Sequence, residues 1–426
     1  MSHTRHKQIG WILYDFANST YHLLIPTILM PLYFKQYFAK ESERADLQWA
    51  LFVSLAVLAA GLVGPFIGAY ADARQRRLGV LICTAFGAIF FAAMLPMLNA
   101  GAALSGGLVF SASFFFFTLS LGIYDAFLPL VAERKSRGTV SGLAWGVGYL
   151  GGLVALGAVF PVLRGAELPA DSNAFRLGIW ITCAVYGVFC FPSFLLLRRG
   201  SREPTEAAMR SPLQSTRERG FAPARVIKTI KNWRHNENFF KTLLSYYLVN
   251  DGLATLVYFT SIYAATTLGF ESTQILMLFL VVQLVGVPAS IMGGVAADRF
   301  GHKRVLYLLL GLWVSLCIGF AFCSGIAAFY LLSVGTGLVI GTTPAIYRSF
   351  LSDFVPRDKV AELYGFNSFA SRASSIIGPL LFGGIASVSG SQRPAMLSLL
   401  VFFLLAGAVL KSVDVSKRVV ESIRAK

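Results

Sequence analysis

Twelve apolar runs decide what this chain can fold into. A helix needs about 20 mostly apolar residues to cross a bilayer. Runs of that kind occupy approximately 11–38, 49–71, 78–98, 104–131, 140–163, 175–197, 238–266, 273–297, 304–323, 326–351, 361–388 and 394–412. The connectors between most of them are too short to build a separate soluble core. The expected fold is an all-α integral membrane protein with twelve transmembrane helices. Charged residues make up only 14% of the chain, against roughly 25% in soluble domains. The first run follows a basic stretch, MSHTRHKQ. It exceeds a signal-peptide core and lacks a small-residue cleavage site, so the first helix is expected to be retained.

One connector differs from the rest. Residues 198–237 are polar, basic and punctuated by proline. They read as a cytoplasmic linker, with a surface helix around 222–235, between a six-helix bundle at 1–197 and a second at 238–426 with a cytoplasmic tail. The charges orient the chain. With the N-terminus inside, 29 of the 37 lysines and arginines fall on the cytoplasmic side and six on the other. Short connectors rich in Lys and Arg stay in the cytoplasm, which puts both termini there. The net charge of +16 is therefore an orientation signal, and no nucleic-acid partner is expected.

Motifs for other chemistries are missing. There is no phosphate-binding G-x-x-x-x-G-K-[ST] loop, no H-E-x-x-H and no nucleophile elbow in the sequence. The five cysteines form no C-x-x-C pair. An enzyme, a cofactor and a resident metal are not expected. Energy for movement of a solute would come from an ion gradient or from the solute's own gradient.

Polar residues inside the apolar runs carry the functional argument. An ionisable group at the bilayer centre costs about 2.5–3.5 kcal/mol on insertion scales and usually faces a cavity or a partner. Asp15, Asn18 and His22 share one face of the first span at i, i+3 and i+7. Asn250 and Asp251 lie at comparable depth in the seventh, and Arg372 in the eleventh. These six are the candidates for a substrate or proton cavity. An imidazole that changes charge near neutral pH suits a proton relay. The alternative for Asp15, near the span's start, is a structural staple; for Arg372 it is snorkelling to headgroups.

The two halves echo each other. GAYADARQRR (68–77) and GVAADRFGHKR (294–304) both place Gly four residues before Asp and then a basic cluster. IYDAFLPL (123–130) and IYRSFLSD (346–353) share Ile, Tyr, Phe and Leu. The offsets, about 226 and 223 residues, are nearly equal, as a duplication would leave them. Transporters with such repeats rock two halves about a central site. The second echo sets Asp125 opposite Arg348, which suggests an inner gate closed by that pair. Arg348 could instead hold an anionic substrate group. Gly142, Gly146, Gly148 and Gly152 read as close helix packing.

Gly294, Asp298, Arg299, Phe300, Gly301, Lys303 and Arg304 form a G-x-x-x-D-R-F-G-x-K-R segment that resembles the signature loop of the major facilitator superfamily. Gly68, Asp72, Arg76 and Arg77 form a degenerate copy, one residue shorter. The motifs LYDFANS (13–19), YDAFLP (124–129), SGLAWGVGYLGG (141–152), NDG (250–252) and GSQRPAMLSLL (390–400) are similar to the branch of autophagy-linked vacuolar amino-acid effluxers and their bacterial relatives. That resemblance implies a secondary transporter working by alternating access. The first and seventh spans would line its cavity, and the two Asp-bearing loops would control the conformational exchange.

The leading expectation is a carrier of a small polar solute, an amino acid or related zwitterion first, with protons as coupling ion. A metal or other cation exporter is the second, because Asp15, His22 and Asp251 offer suitable ligands. A non-transporting scaffold or sensor, its basic linker on a partner or anionic lipid, comes from a different class. The remaining expectations are a monomer in a lipid bilayer, most simply a bacterial inner membrane.

Overall fold

A computed structural model describes residues 2–40, 44–164, 170–199, 222–231, 233–266, 272–323, 325–356, 359–374 and 377–417, and among them there is no strand. The first sequence half contains α1 (Ser2–Leu24), α2 (Ala45–Ala73), α3 (Arg77–Met94), α4 (Ala103–Asp125), α5 (Arg137–Leu163) and α6 (Ser172–Arg199). A linker helix, α7 (Ala222–Lys231), precedes α8 (Glu237–Thr266), α9 (Ser272–Phe300) and α10 (His302–Phe322). The tenth span is α11 (Ile326–Ile340) with α12 (Thr342–Leu351). The eleventh is α13 (Val360–Ala373) with α14 (Ile377–Ser389), and the twelfth is α15 (Gln392–Ser398) with α16 (Leu400–Lys411). This is the all-α, twelve-span architecture expected from the apolar runs.

Among the described residues, nine helices are long and apolar enough to cross a membrane. The spans outside that set are the first, seventh and eleventh, which carry the candidate cavity residues. The eleventh is also interrupted, its halves only 14 and 13 residues long. The first changes character after His22. Pro26 has no N–H to donate into the preceding turn, and a π-turn occupies Ile25–Leu29. The Thr27 hydroxyl donates to the His22 carbonyl at 2.9 Å. A second π-turn, Phe34–Phe38, follows Pro31.

The chain divides into two units. The first comprises Met1–Ala132, Val147–Lys231 and Arg357–Phe369; the second comprises Glu133–Gly146, Asn232–Pro356 and Ala370–Lys426. Each unit thus holds one segment from the other half of the sequence.

With no water in the bilayer core, buried polar tips need internal partners. In the first unit, Trp11 Nε1 donates to the Tyr124 carbonyl at 2.9 Å, and the two rings stack. The Tyr21 hydroxyl meets Ser113 Oγ at 2.5 Å. In the second, Ser245 Oγ lies 2.7 Å from the Tyr347 hydroxyl, and Trp313 Nε1 donates to Thr343 Oγ1 at 3.0 Å.

Glycines let two helix pairs approach backbone to backbone. In the second unit, a Cβ on Gly142 would lie 2.2 Å from the Ser290 carbonyl oxygen, and one on Gly294 2.2 Å from that of Gly138. In the first unit, a Cβ on Gly68 would lie 2.1 Å from the Ala361 carbonyl oxygen, and one on Gly365 2.7 Å from the Gly64 carbonyl carbon. The glycine spacing expected to serve packing does so here. Farther along α5, Gly151 would meet the Phe16 carbonyl oxygen of α1 at 2.2 Å.

The two Asp-bearing segments correct an expectation. They were expected to be loops, but Asp72 and Asp298 lie within the last turns of α2 and α9, and Lys303 and Arg304 within the first turn of α10. Only Arg74–Arg76 and Gly301 connect the helices. Gly301 has φ 95°, which accounts for glycine at this turn. Each aspartate binds the start of another helix.

The linker helix α7 packs on α2 with Val226 and Thr229 buried. Lys359 Nζ donates to Thr229 Oγ1 at 3.4 Å.

Candidate functional site

Asp15 and Asn18 are both buried on α1, and Asn18 Nδ2 donates to Asp15 Oδ1 at 3.2 Å. The structure therefore joins these two members of the polar face. His22 is exposed, its ring 6.1 Å from that of Phe117 and nearly parallel to it. Asp125, the last residue of α4, is half-buried in the same unit.

In the second unit Asp251 is fully buried, and its Oδ1 accepts the Gly378 N–H at 2.9 Å. Asn250 Nδ2 donates to Ser374 Oγ at 2.6 Å. The Asn-Asp pair of the seventh span thus holds both edges of the interruption in the eleventh. The side chain of Arg372 lies outside the described residues.

Arg348 on α12 is buried, and its guanidinium is fixed in direction. Nε donates to Ser141 Oγ at 2.9 Å and Nη2 to the Ser141 carbonyl at 3.0 Å. Its carbon Cζ lies 5.9 Å from the centre of the Trp145 ring, within cation–π range. Ser141 Oγ in turn donates to the Ala345 carbonyl at 2.7 Å. Two hydrogen bonds and an aromatic face hold the planar group where a flexible ammonium would not be held.

The two aspartates of the echoed segments do the same job in different units. Asp298 accepts from Gly138 N at 2.8 Å, Thr139 N at 2.6 Å and Thr139 Oγ1 at 2.7 Å. These are first-turn donors of α5, groups that have no partner within their own helix. Asp72 accepts from Glu362 N at 3.1 Å, in the first turn of α13, and pairs with Arg77 at 2.6 Å. Negative charge at a helix N-terminus is stabilising. Arg76 is exposed; Arg299, also exposed, lies over Phe300. Lys303 Nζ donates to the Lys411 and Val413 carbonyls at 3.1 and 2.9 Å, capping the end of α16. Arg304 is exposed.

With these sites in view, comparisons with other proteins place the chain. A family model described as "Vacuole effluxer Atg22 like" matches residues 130–422. The chain belongs to that family. An uncharacterized MFS-type transporter of Bacillus subtilis, YxiO, is 27% identical over 430 residues, covering 97% of both chains. Autophagy-related protein 22-1 of Aspergillus niger is 24% identical over 300 residues, which is 67% of this chain but only 48% of the fungal protein. The chain therefore spans about half the length of that fungal relative. Among solved structures, the proton:xylose symporter XylE has a TM-score of 0.70 at 15% identity, covering 97% of this chain and 95% of the other. A bacterial homologue of the iron transporter ferroportin has a TM-score of 0.67 at 15% identity, covering 96% and 99%. At these identities the structures speak to fold alone, and that fold is the major facilitator fold. This Atg22-like chain is a membrane transporter of that superfamily.

Reasoning from sequence missed several residues of the Atg22-like chain. Asp353 closes the second echo, and its carboxylate lies 3.4 Å from Arg134, 3.8 Å from Arg137 and 3.9 Å from His302. Arg137 Nη1 also donates to the Ser352 carbonyl at 3.1 Å. The echo contained Asp353, but Arg134 and Arg137 lie more than 200 residues away in sequence and His302 lies 51 away, and no local spacing reveals them. Thr139, Ser141 and Trp145 were hidden for the same reason.

Proposed function

We propose that the chain is a secondary transporter for a small polar solute, an amino acid or related zwitterion, driven by alternating access with proton coupling. The observation that carries the reading is a pair of opposite charges kept buried in the second unit. Asp251 sits on α8 and Arg348 on α12, helices joined through Ser245 and Tyr347. A carboxylate and a directed guanidinium are what the ammonium and carboxylate of a zwitterion require. A scaffold gains nothing from keeping both in hydrocarbon, where each is expensive.

The bodies that rock are the sequence halves 1–197 and 238–426, joined by the linker at 198–237. The seated pairs, α5 on α9 and α13 on α2, then part and re-form in each cycle, with Asp298 and Asp72 closing them. Asp15, Asn18 and His22 supply the first half's share of the cavity, with Arg372 beside Asn250 and Asp251 in the second. The charge bias of the connectors supports cytoplasmic termini. The full-length match to a Bacillus subtilis relative supports a bacterial plasma membrane. The transporting species is a monomer.

Purified protein in proteoliposomes is expected to accumulate a labelled amino acid when a pH gradient is imposed, and to equilibrate it when the gradient is collapsed. A thermal-shift screen selects the solute, because a ligand raises apparent stability. Amino-acid flux absent across the screened set, in protein that binds none of them, would refute the substrate class.

The alternative role of Arg348 is an inner gate, closed by Asp125 instead of by a substrate carboxylate. Asp125→Asn and Arg348→Gln are each expected to slow transport at least about tenfold, and the double variant far less than the product of the two, as coupled residues behave. Multiplicative losses would mean that the two do not act as a pair.

A further inference from the structure

Asp251 presents its two carboxylate oxygens to different surroundings. Oδ1 accepts the Gly378 N–H at 2.9 Å, in the first turn of the 13-residue helix α14. Oδ2 has no hydrogen-bond partner among the described residues, and the residue is 0% exposed. The side chain thus anchors a helix N-terminus with one oxygen and leaves the other buried and unsatisfied. A helix N-terminus offsets about half of one negative charge. The remainder, on an oxygen without a donor, is costly in an apolar interior.

The neighbours do not relieve it. On α8 itself, Tyr247 stands one turn earlier and Thr255 Oγ1 donates to the Asp251 carbonyl, not to the carboxylate. From α16, Phe402 and Phe403 pack against Gly252. From α12, the Tyr347 hydroxyl is engaged by Ser245. On α14 only backbone N–H groups face the carboxylate. Arg372 on α13 has a side chain outside the described residues.

We propose that Asp251 is a proton-operated latch on the second half of the eleventh span: Oδ2 takes up a proton, and the hold of Oδ1 on α14 loosens. The chemistry is transfer of one proton from hydronium to the carboxylate, leaving water, with no other bond made or broken in the side chain. The added O–H removes the charge that made Oδ2 costly. It also turns a charge-assisted N–H···O⁻ bond into a neutral one, about half as strong. Proton uptake then reaches the backbone of an interrupted helix, the kind of element around which transporters place their ion sites. A proton suits a single unsatisfied oxygen, whereas a hard metal cation needs about six oxygen ligands.

This inference rests on the proton-coupled reading above, but its test needs no substrate. Hydrogen exchange of residues 377–389 is followed in purified full-length protein between about pH 5 and 8. Rates are expressed as protection factors, so that the intrinsic pH dependence of exchange cancels. In the unmodified protein, protection at Gly378 is expected to fall at least about tenfold towards acid pH, as local opening becomes easier. Asp251→Asn, which keeps an acceptor but no charge, is expected to show the low protection at every pH. Gly378→Ala is a second variant that leaves Asp251 in place. Its Cβ would lie 2.1 Å from Thr255 Oγ1 and 2.8 Å from Asp251 Oδ1, which forces the latch open and should also remove the pH response. Protection that ignores pH in the unmodified protein, or a full pH response in either variant, overturns the latch. A response to sodium at constant pH, with none to pH, overturns the proton in favour of a metal cation. A protein that transports nothing can still show the latch, and one that transports without a pH-dependent α14 sinks the latch alone.

Discussion

Gly142→Leu is expected to lower transport by about two orders of magnitude, while Gly157→Leu, on the same helix, leaves it within a factor of about two. The difference lies in what each new side chain meets. At Gly142 the first added carbon would stand 2.2 Å from the Ser290 carbonyl oxygen, and at Gly157 nothing lies within 4 Å. A clash with backbone cannot be relieved by a rotamer change, so α5 and α9 must separate. Overpacking of this kind costs about 1–3 kcal/mol. At the upper end that shifts a two-state equilibrium about 150-fold, since each 1.4 kcal/mol is a factor of ten. The same argument applies in the first unit to Gly68→Leu, which meets the Ala361 carbonyl oxygen at 2.1 Å. Initial rates in proteoliposomes, normalised to folded protein, check the prediction. Near-normal transport by Gly142→Leu would mean that the α5–α9 seat is not part of the cycle.

Asp298→Ala is the second large effect expected, a loss of tenfold to a hundredfold. Three donors of α5 lose their acceptor at once, Gly138 N, Thr139 N and Thr139 Oγ1. Replacing an N-cap by alanine costs about 0.5–2 kcal/mol, and hydrogen bonds to a charged group contribute about 1.5–3 kcal/mol. Asp298→Asn should fall between alanine and the unmodified protein, because an amide oxygen still accepts but carries no charge. Asp72→Ala is expected to cost less. Its carboxylate shares its charge with Arg77 at 2.6 Å and accepts Glu362 N at a longer 3.1 Å. Transport rates for the three variants, measured beside their thermal stability, test the ranking. An Asp298→Asn protein as impaired as Asp298→Ala would shift the weight from hydrogen bonding to charge.

How much of this was legible in the sequence follows from the range of the interactions. Hydrophobicity is local, so the twelve spans and the linker helix could be read directly, although α1 already begins at Ser2, ahead of its apolar run. The duplication could be read because both echoes keep nearly the same offset. Asp72 and Asp298 stand out in the sequence as a matched pair, but as loop residues, since their partners at 361–362 and 138–139 lie far away in sequence. The break in the eleventh span was missed altogether. Nothing in SRASSIIGP (371–379) demands an interruption until Asp251, more than 120 residues earlier, supplies the acceptor for Gly378.

The three polar spans have a consequence for how the protein is made. Segments near the hydropathy limit partition poorly into lipid on their own as they leave the translocon. Those segments here include α1 and α8, the first span of each half to be synthesised. Within its unit α1 packs most extensively on α6, the last span of the same half, and α8 does so on α16, also the last of its half. The polar first span of each half therefore waits for a partner that emerges five spans later. Biogenesis is consequently most exposed in the spans that carry the candidate cavity residues. A substitution at Asp15 or Asp251 can change the amount of inserted protein as well as its transport rate, and the two are separated by normalising activity to folded protein.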